Sequence, residues 1–370
     1  MILKKKQTFI FFICYSFYLA YSFIGIDSVI GVLLKDLTNV ASIGLIFLFI
    51  SNIKKFTYTE FFAILILTIL CLVIGLNTKD FGFLKLMLFT LAFKNVEFKK
   101  CIQYDIWLRI FLIFIIYNMY TIGLLTDVVG TRGDIVCRHS YGFSNPNALA
   151  MAVTILCFEF LYVYGHKKLK LKMCIVAIIM AIVSSVTDSR TCLFAVIIYM
   201  VLLLINSYIP LVTHNKFFLK AIQLTPFFLT LAIVYMIQSY ILAPYSHESM
   251  LYDDLLSGRL YIASVYATLT SPSLLGNDIS VLYDRTLDIA YASLLLSSGV
   301  VILILFLISY YILIKKLFLS GNFRLLLIYF CFCLMGIGEK LWLYVDYNLL
   351  ILAFGMLLFQ DKSLLRKQFI

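Results

Sequence analysis

Apolar runs of about 20 residues recur along almost the whole chain, and they limit its possible folds more than any other feature. A run of this length crosses the hydrocarbon core of a bilayer as an α-helix. Apolar residues make up 63 % of the 370 positions and charged residues 13 %, too few polar groups to cover a soluble protein of this size. The sequence therefore predicts an all-α integral membrane protein.

Twelve segments are predicted to cross the membrane. They cover approximately residues 7–24, 37–53, 58–76, 78–95, 104–126, 146–164, 171–187, 190–212, 217–242, 286–313, 322–338 and 341–359. The fourth is the weakest because Lys85 interrupts it, but a crossing there places three lysine clusters together on the cytoplasmic side. These lysines are Lys54, Lys55, Lys94, Lys99, Lys100, Lys167, Lys168, Lys170 and Lys172. Both termini are then predicted to be cytoplasmic.

Two longer loops are predicted on the external side, at about residues 127–145 and 243–285. Loops of this length are usually functional or disordered. Apolar residues recur at helical spacing in the second loop, which predicts an amphipathic surface helix, either free or packed as a lid with Arg259 solvated. These residues are Ile262, Val265, Tyr266 and Leu269. Since no Gly/Ser-rich or Pro-rich linker divides the chain, residues 1–370 are predicted to form a single membrane domain.

Arginine and lysine are distributed differently in this topology. Most lysines face the cytoplasm and its anionic leaflet, so the net charge of +11 does not indicate nucleic-acid binding. Five of the eight arginines are instead external, namely Arg132, Arg138, Arg190, Arg259 and Arg285. A guanidinium binds phosphate through two parallel hydrogen bonds, so these arginines together indicate an anionic ligand such as pyrophosphate. For each one alone, pairing with a nearby aspartate is the alternative.

The first external loop ends in Gly-Phe-Ser-Asn-Pro-Asn at residues 142–147, shortly after Arg138. Pro146 is predicted at the first turn of a helix, with Asn145 as its N-cap. The positive end of that helix beside Arg138 would favour an anion. An ordinary capped helix start is the alternative, but it leaves Arg138 and Asn147 unexplained.

Two further sites lie at predicted membrane rims. Asp188 and Arg190 occupy a tight corner between two helices, where they could form a local pair. Asp288 enters the tenth predicted helix, with Tyr291 nearly one turn deeper. A carboxylate at the rim can serve as a general base, or it can pair with Arg285.

In their order, these motifs resemble the signatures of the O-antigen polymerase/ligase family, and more narrowly its Wzy-type repeat-unit polymerases. The matching residues are Arg138 with residues 142–147, Ser189 with Arg190, Gly258 with Arg259, and Asp288, Tyr291 and Gly299. Each motif is short, and the specificity lies in their combination over about residues 80 to 313. Ligases of the family carry His followed by Asn, Ser or Gln at the positions of Asp288 and Ile289, so the departure favours a polymerase and leaves the base open.

The resemblance implies a GT-C-like membrane glycosyltransferase that acts on the outer face of the bacterial cytoplasmic membrane. Its substrates would be oligosaccharide repeat units on undecaprenyl pyrophosphate, as donor and acceptor, for a capsule or O-antigen polysaccharide. Membrane lipid surrounds such an enzyme, and a flippase and a chain-length regulator are candidate partners. There is no Asp-x-Asp motif, so a metal is not indicated, although the adjacent Asp253 and Asp254 leave that alternative open. No cofactor is expected.

The resemblance and the charge argument together assign the site residues. Arg138 and Arg259 would bind the pyrophosphate, with Arg190 in support. Asp288 is the first candidate base, ahead of His139 and His247. The remaining substrate-binding candidates are Asn145, Asn147 and Tyr291.

A lipid-linked oligosaccharide flippase or other transporter is the main alternative. It also needs about a dozen spans, but transporters usually show internal repeats and helices broken at mid-membrane, and no repeat is visible here. A ligase of the same family is a second alternative. An acyltransferase would be expected to show a catalytic His or Ser constellation, and none stands out in the sequence.

Overall fold

The computed structural model describes residues 2–25, 28–53, 56–94, 96–132, 136–209, 215–280, 282–283, 285–355 and 357. Its helices are α1 (Ile2–Ile24), α2 (Val29–Asn52), α3 (Tyr58–Thr78), α4 (Gly82–Phe93), α5 (Phe98–Thr121), α6 (Pro146–Tyr164), α7 (Leu169–Thr187), α8 (Arg190–Tyr208), α9 (Lys216–Leu242), α10 (His247–Leu255), α11 (Arg259–Leu269), α12 (Val300–Leu319) and α13 (Phe323–Met335). Among the described residues, nine of them are long and apolar enough to cross a membrane, namely α1–α3, α5–α9 and α12. The protein is thus an all-α membrane protein.

The prediction of twelve full spans is not confirmed. Helices α4 and α13 contain 12 and 13 residues. At the α-helical rise they extend about 18–20 Å, which is less than the hydrocarbon thickness of about 30 Å. In place of the twelfth predicted span, the described residues form short turns at Leu341–Leu343, Leu349–Ile351 and Leu352–Gly355.

The tenth predicted span also begins later than expected. A short helical turn at Ala290–Ala292 and a π-helical turn at Ser293–Ser297 precede α12. Gly299 separates the π-helical turn from α12 with a φ of +94°, and a Cβ at this position would lie 2.3 Å from the backbone nitrogen of Gly276. Because only glycine fits this close contact, the break is set by tertiary packing and not by hydropathy.

The chain divides into two compact units whose segments interleave in the sequence. The first comprises Met1–Thr57, Leu88–Leu204 and Val345–Ile370, and the second comprises Tyr58–Met87 and Ile205–Tyr344. Each unit has its own buried core.

Helix α6 lies at the centre of the first unit and contacts α1, α5 and α7. Most of its residues are buried, because it is apolar on every face. Small residues at Ala148, Ala150 and Ala152 let the neighbouring helices approach closely. The N-terminal end of α6 is where the Asn-Pro-Asn motif lies.

A two-stranded antiparallel hairpin precedes α6 in the first unit, and the sequence did not predict it. Its strands are β1 (Gly130–Arg132) and β2 (Val136–Arg138), with Gly130 opposite Arg138. The backbone N–H of His139 donates to the carbonyl of Val186 at 3.1 Å, which ties the hairpin to the end of α7. The hairpin therefore fixes where Arg138 lies.

The predicted amphipathic helix is confirmed as α11, but its buried face matches the predicted one only in part, at Tyr266 and the partly buried Ile262. Leu260, Ala263 and Tyr266 are buried, whereas Leu269 is 52 % exposed. This stripe packs against α9 in the core of the second unit, because residues three apart lie on one face of a helix. The helix is thus packed, as the lid alternative expected, but Arg259 is only 12 % exposed, whereas that alternative expected it to be solvated.

Candidate functional site

The end of β2 brings together two of the predicted site residues in the first unit. Arg138 is half-buried, and its Nε donates to the carbonyl oxygen of Thr187 at 2.6 Å. Its Nη2 donates to Oδ1 of Asn147 at the start of α6. A guanidinium held by two contacts on different elements has a fixed orientation, as binding of a phosphate group requires.

Asn145 and Pro146 begin α6 as the sequence predicts. Asn145 is the N-cap and its Oδ1 accepts from the backbone N–H of Ala148 at 2.8 Å, with Pro146 in the first turn. The partial positive charge of this helix end lies next to Arg138, because Arg138 donates to Asn147 at the start of α6. The two features together favour a negatively charged group at this end of α6.

His139 is held by a carboxylate. Its Nδ1 lies 2.6 Å from Oδ2 of Asp127, and its ring stacks on Tyr141 with centroids 5.6 Å apart. Oδ1 of Asp127 accepts from the backbone N–H groups of Ser140 and Tyr141, at 2.8 and 3.0 Å. Partial burial raises the pKa of Asp127, but the hydrogen bonds from His139, Ser140 and Tyr141 outweigh it and lower this pKa below 3.8. Asp127 therefore orients the imidazole of His139.

This carboxylate should make the loop acid-sensitive. Because the pKa of folded Asp127 is lower than its ordinary value of 3.8, its stabilisation is present above pH 3.8 and is lost as the pH falls through the folded value. We expect hydrogen exchange at Ser140 and Tyr141 to be slow at neutral pH and to lose protection below pH 3.8. In Asp127→Asn these amides should be less protected at neutral pH, and equal protection in both proteins at that pH would contradict the assignment.

Arg190 lies on the exposed corner between α7 and α8. Its Nε is 3.6 Å from Oδ1 of Asp188, and its side chain is 62 % exposed. The local pair considered from the sequence is therefore present, and exposed pairs of this kind contribute little to stability. The carbonyl of Thr187, one residue before Asp188, is the acceptor for Arg138, so this corner adjoins the Arg138 contacts.

Arg259 lies at the centre of a charged group in the second unit, defined as Arg259, Asp288 and Glu339. The Nη2 of Arg259 donates to Oε1 of Glu339 at 3.1 Å, and its Nε lies 3.8 Å from Oδ2 of Asp288. The Arg259 side chain is 12 % exposed, that of Asp288 24 % and that of Glu339 2 %. Oδ1 of Asp288 also accepts from the hydroxyl of Thr286 at 2.9 Å. This arrangement offers an oriented cation next to a partly exposed carboxylate.

Glu339 is a site residue that the sequence reasoning missed. It lies between two apolar segments and just before Lys340, where the sequence gives only a single acidic residue in a short gap. Its contact with Arg259 joins positions 80 residues apart. The available signal was the rarity of a carboxylate in so apolar a region, since such groups normally pair with a cation.

Two other predicted residues have different environments. Tyr291 is 1 % exposed, and its hydroxyl donates to the carbonyl oxygen of Cys333 at 2.8 Å. His247 is exposed at the first position of α10. Tyr291 therefore fixes the packing behind Asp288, whereas His247 is open to solvent.

The side chain of Arg132, one of the five arginines predicted to be external, lies outside the described residues. Within the described part of the chain, no group of three or more His, Cys, Asp or Glu side chains is arranged as metal ligands would be.

Comparison with known proteins does not assign the chain to a family. The chain matches no protein-family model, no curated protein and no solved structure.

Proposed function

We propose that this protein is a polysaccharide polymerase that joins oligosaccharide repeat units linked to undecaprenyl pyrophosphate, on the outer face of the bacterial cytoplasmic membrane. The observation that supports it best is the arrangement of Arg259, a mostly buried guanidinium held at 3.1 Å by Glu339 with Asp288 at 3.8 Å. A chain of apolar helices rarely keeps charged groups together unless they serve a function.

The chemistry of such a transfer matches this arrangement. A hydroxyl oxygen of the acceptor forms a bond to the anomeric carbon of the donor, and the bond from that carbon to the pyrophosphate oxygen breaks. Negative charge develops on the departing pyrophosphate, and an oriented arginine in a low-dielectric site stabilises it. The proton of the acceptor hydroxyl passes to a base.

Asp288 is the proposed base, and Glu339 is the proposed support for Arg259. Asp288 is the more exposed carboxylate and the more distant from the guanidinium, so it can accept a proton from an incoming hydroxyl. Glu339 is buried and at hydrogen-bond distance, so it fixes the orientation of Arg259. The two carboxylates thus take different roles because their environments differ.

The remaining assignments rest on the sequence argument. Arg138 is proposed to bind phosphate together with the N-terminal end of α6, supported by Asn145, Asn147 and Arg190. His139 stays an alternative base, since Asp127 orients its ring. His247 is a weaker alternative because it lies exposed at the start of α10.

Extension of a synthetic lipid-linked repeat unit by the purified protein tests the proposal. A polymerase lengthens the glycan in detergent or liposomes without ATP or an ion gradient. A flippase instead moves the lipid-linked unit across the bilayer and leaves its length unchanged. A ligase transfers the glycan to a different acceptor. Absence of products longer than one unit, with active flipping or transfer to another acceptor, would overturn the proposal.

A further inference from the structure

A second charged group lies in the interior of the first unit, away from the hairpin and the start of α6. Arg109 and Asp105 are one turn apart on α5, and Glu159 lies on α6. All three side chains are 0 % exposed. Nη2 of Arg109 is 3.0 Å from Oδ2 of Asp105, whereas its Nε is 3.8 Å from Oε2 of Glu159.

Two polar neighbours complete this buried group. The hydroxyl of Tyr15 on α1 donates to Oδ1 of Asp105 at 3.0 Å and accepts from Nη2 of Arg109 at 3.1 Å. The same Nη2 donates to the backbone carbonyl of Tyr347 at 2.8 Å. Tyr347 lies in non-helical backbone, and such backbone is tolerated at membrane depth only where its polar groups find partners in the protein.

The two carboxyl groups differ in their hydrogen bonds. Both oxygens of Asp105 accept a bond, from Tyr15 and from Arg109. Neither oxygen of Glu159 has a hydrogen-bond donor within the described residues. An ionised carboxylate without donors is strongly disfavoured in an apolar interior, whereas a protonated one can donate to the neighbouring Asp105.

Charge counting leads to the same conclusion. One guanidinium with two ionised carboxylates would leave one uncompensated negative charge in a site without solvent contact, and that is costly. One proton makes the group neutral. The proton belongs on Glu159, because Asp105 has the shorter contact with Arg109 and the larger number of donors.

We propose that α5 and α6 form a buried proton-binding site, in which Glu159 is a neutral carboxylic acid and Asp105 is the ionised partner of Arg109. The ligand is a proton taken up by the Glu159 carboxylate, with no other bond made or broken. The neutral group lets Arg109 hold the carbonyl of Tyr347 without a net charge inside the bilayer. This site is independent of the proposed glycan transfer.

Infrared spectra of the purified wild type and its variants, compared at neutral pH, test whether the Glu159 carboxyl group is protonated. The wild type should show the C=O stretch of a protonated carboxyl group, and Glu159→Gln should lose it. Glu97→Gln is the matched control, because Glu97 is an exposed carboxylate paired with Lys100, and its spectrum should keep the band. A wild type without this band, or a band that survives in Glu159→Gln, would overturn the proposal.

The melting temperatures of variants at Glu159 and Asp105 show which of the two carboxyl groups holds the proton. Glutamine mimics a neutral acid, so Glu159→Gln should shift the melting temperature by no more than about 2 °C. Asp105→Asn removes the ionised partner, and together with Glu159→Gln it should lower the melting temperature by about 5–10 °C, since Arg109 is then buried without a counter-ion. If Glu159→Gln alone costs as much as the double variant, Glu159 is ionised in the wild type and the proton is not located on it.

Discussion

Arg259→Ala is expected to lower the rate of glycan extension by about 10²–10³-fold, while the protein still inserts into the membrane. The reason is that Arg259 is oriented in advance by Glu339 and lies beside the candidate base Asp288. A lysine at this position should recover little of the rate, because an ammonium cannot contact both Glu339 and a phosphate with the planar geometry of a guanidinium.

Stability has to be separated from catalysis in this test, because Arg259→Ala leaves the buried Glu339 with a lost contact. Removing one member of a buried pair typically costs about 3–5 kcal/mol. The double variant Arg259→Ala/Glu339→Gln removes both charges, so it should regain much of the thermal stability and remain inactive. Recovery of activity together with stability would show that Arg259 has only a structural role.

Arg285→Ala is the matched control for Arg259→Ala. Arg285 is exposed and lies near the same rim, and its backbone carbonyl, which the substitution leaves intact, accepts from Tyr266. Its extension rate should stay close to that of the wild type, since an exposed charge contributes little in high dielectric. Equal losses in both variants would point to a general effect of positive charge and not to a defined site.

Local sequence signals predicted the local parts of this structure well. Asn145 and Pro146 begin a helix because capping involves residues within one turn of each other. Most of the long apolar runs became helices, since hydropathy is a property of the segment alone. The same reasoning predicted the amphipathic helix of the second external loop, but it did not predict which of its faces packs inward.

Non-local contacts account for what the sequence did not show. The break at Gly299 depends on its approach to Gly276, and the role of Glu339 depends on a partner 80 residues away. Arg109 was not recognised from the sequence for a different reason. A single arginine barely lowers the mean hydropathy of a long apolar helix, and its compensation by Asp105 and Glu159 becomes visible only when α5 and α6 are packed together.

Arg138→Ala is expected to reduce extension by a factor similar to that of Arg259→Ala, about 10²-fold or more, through loss of a phosphate contact. Arg138→Lys should also be impaired, because the Nε and Nη2 contacts to Thr187 and Asn147 require the guanidinium fork. The measurement is the extension rate together with the affinity for the lipid-pyrophosphate donor, compared at equal thermal stability.

Arg190→Ala is the comparison for Arg138→Ala with a smaller expected effect, because both arginines adjoin the corner at the end of α7 and Arg190 has only a supporting role. The pair of Arg190 with Asp188 is exposed and 3.6 Å long, so its removal should lower the rate by less than about fivefold. The loss of extension rate in Asn147→Ala should lie between those of Arg138→Ala and Arg190→Ala, since the substitution leaves Arg138 in place and removes one of its two contacts. If Asn147→Ala and Arg138→Ala are both fully active, Arg138 holds the hairpin against α6 and α7 and does not bind phosphate. A binding site is therefore indicated if the loss of extension rate decreases in the order Arg138→Ala, Asn147→Ala, Arg190→Ala.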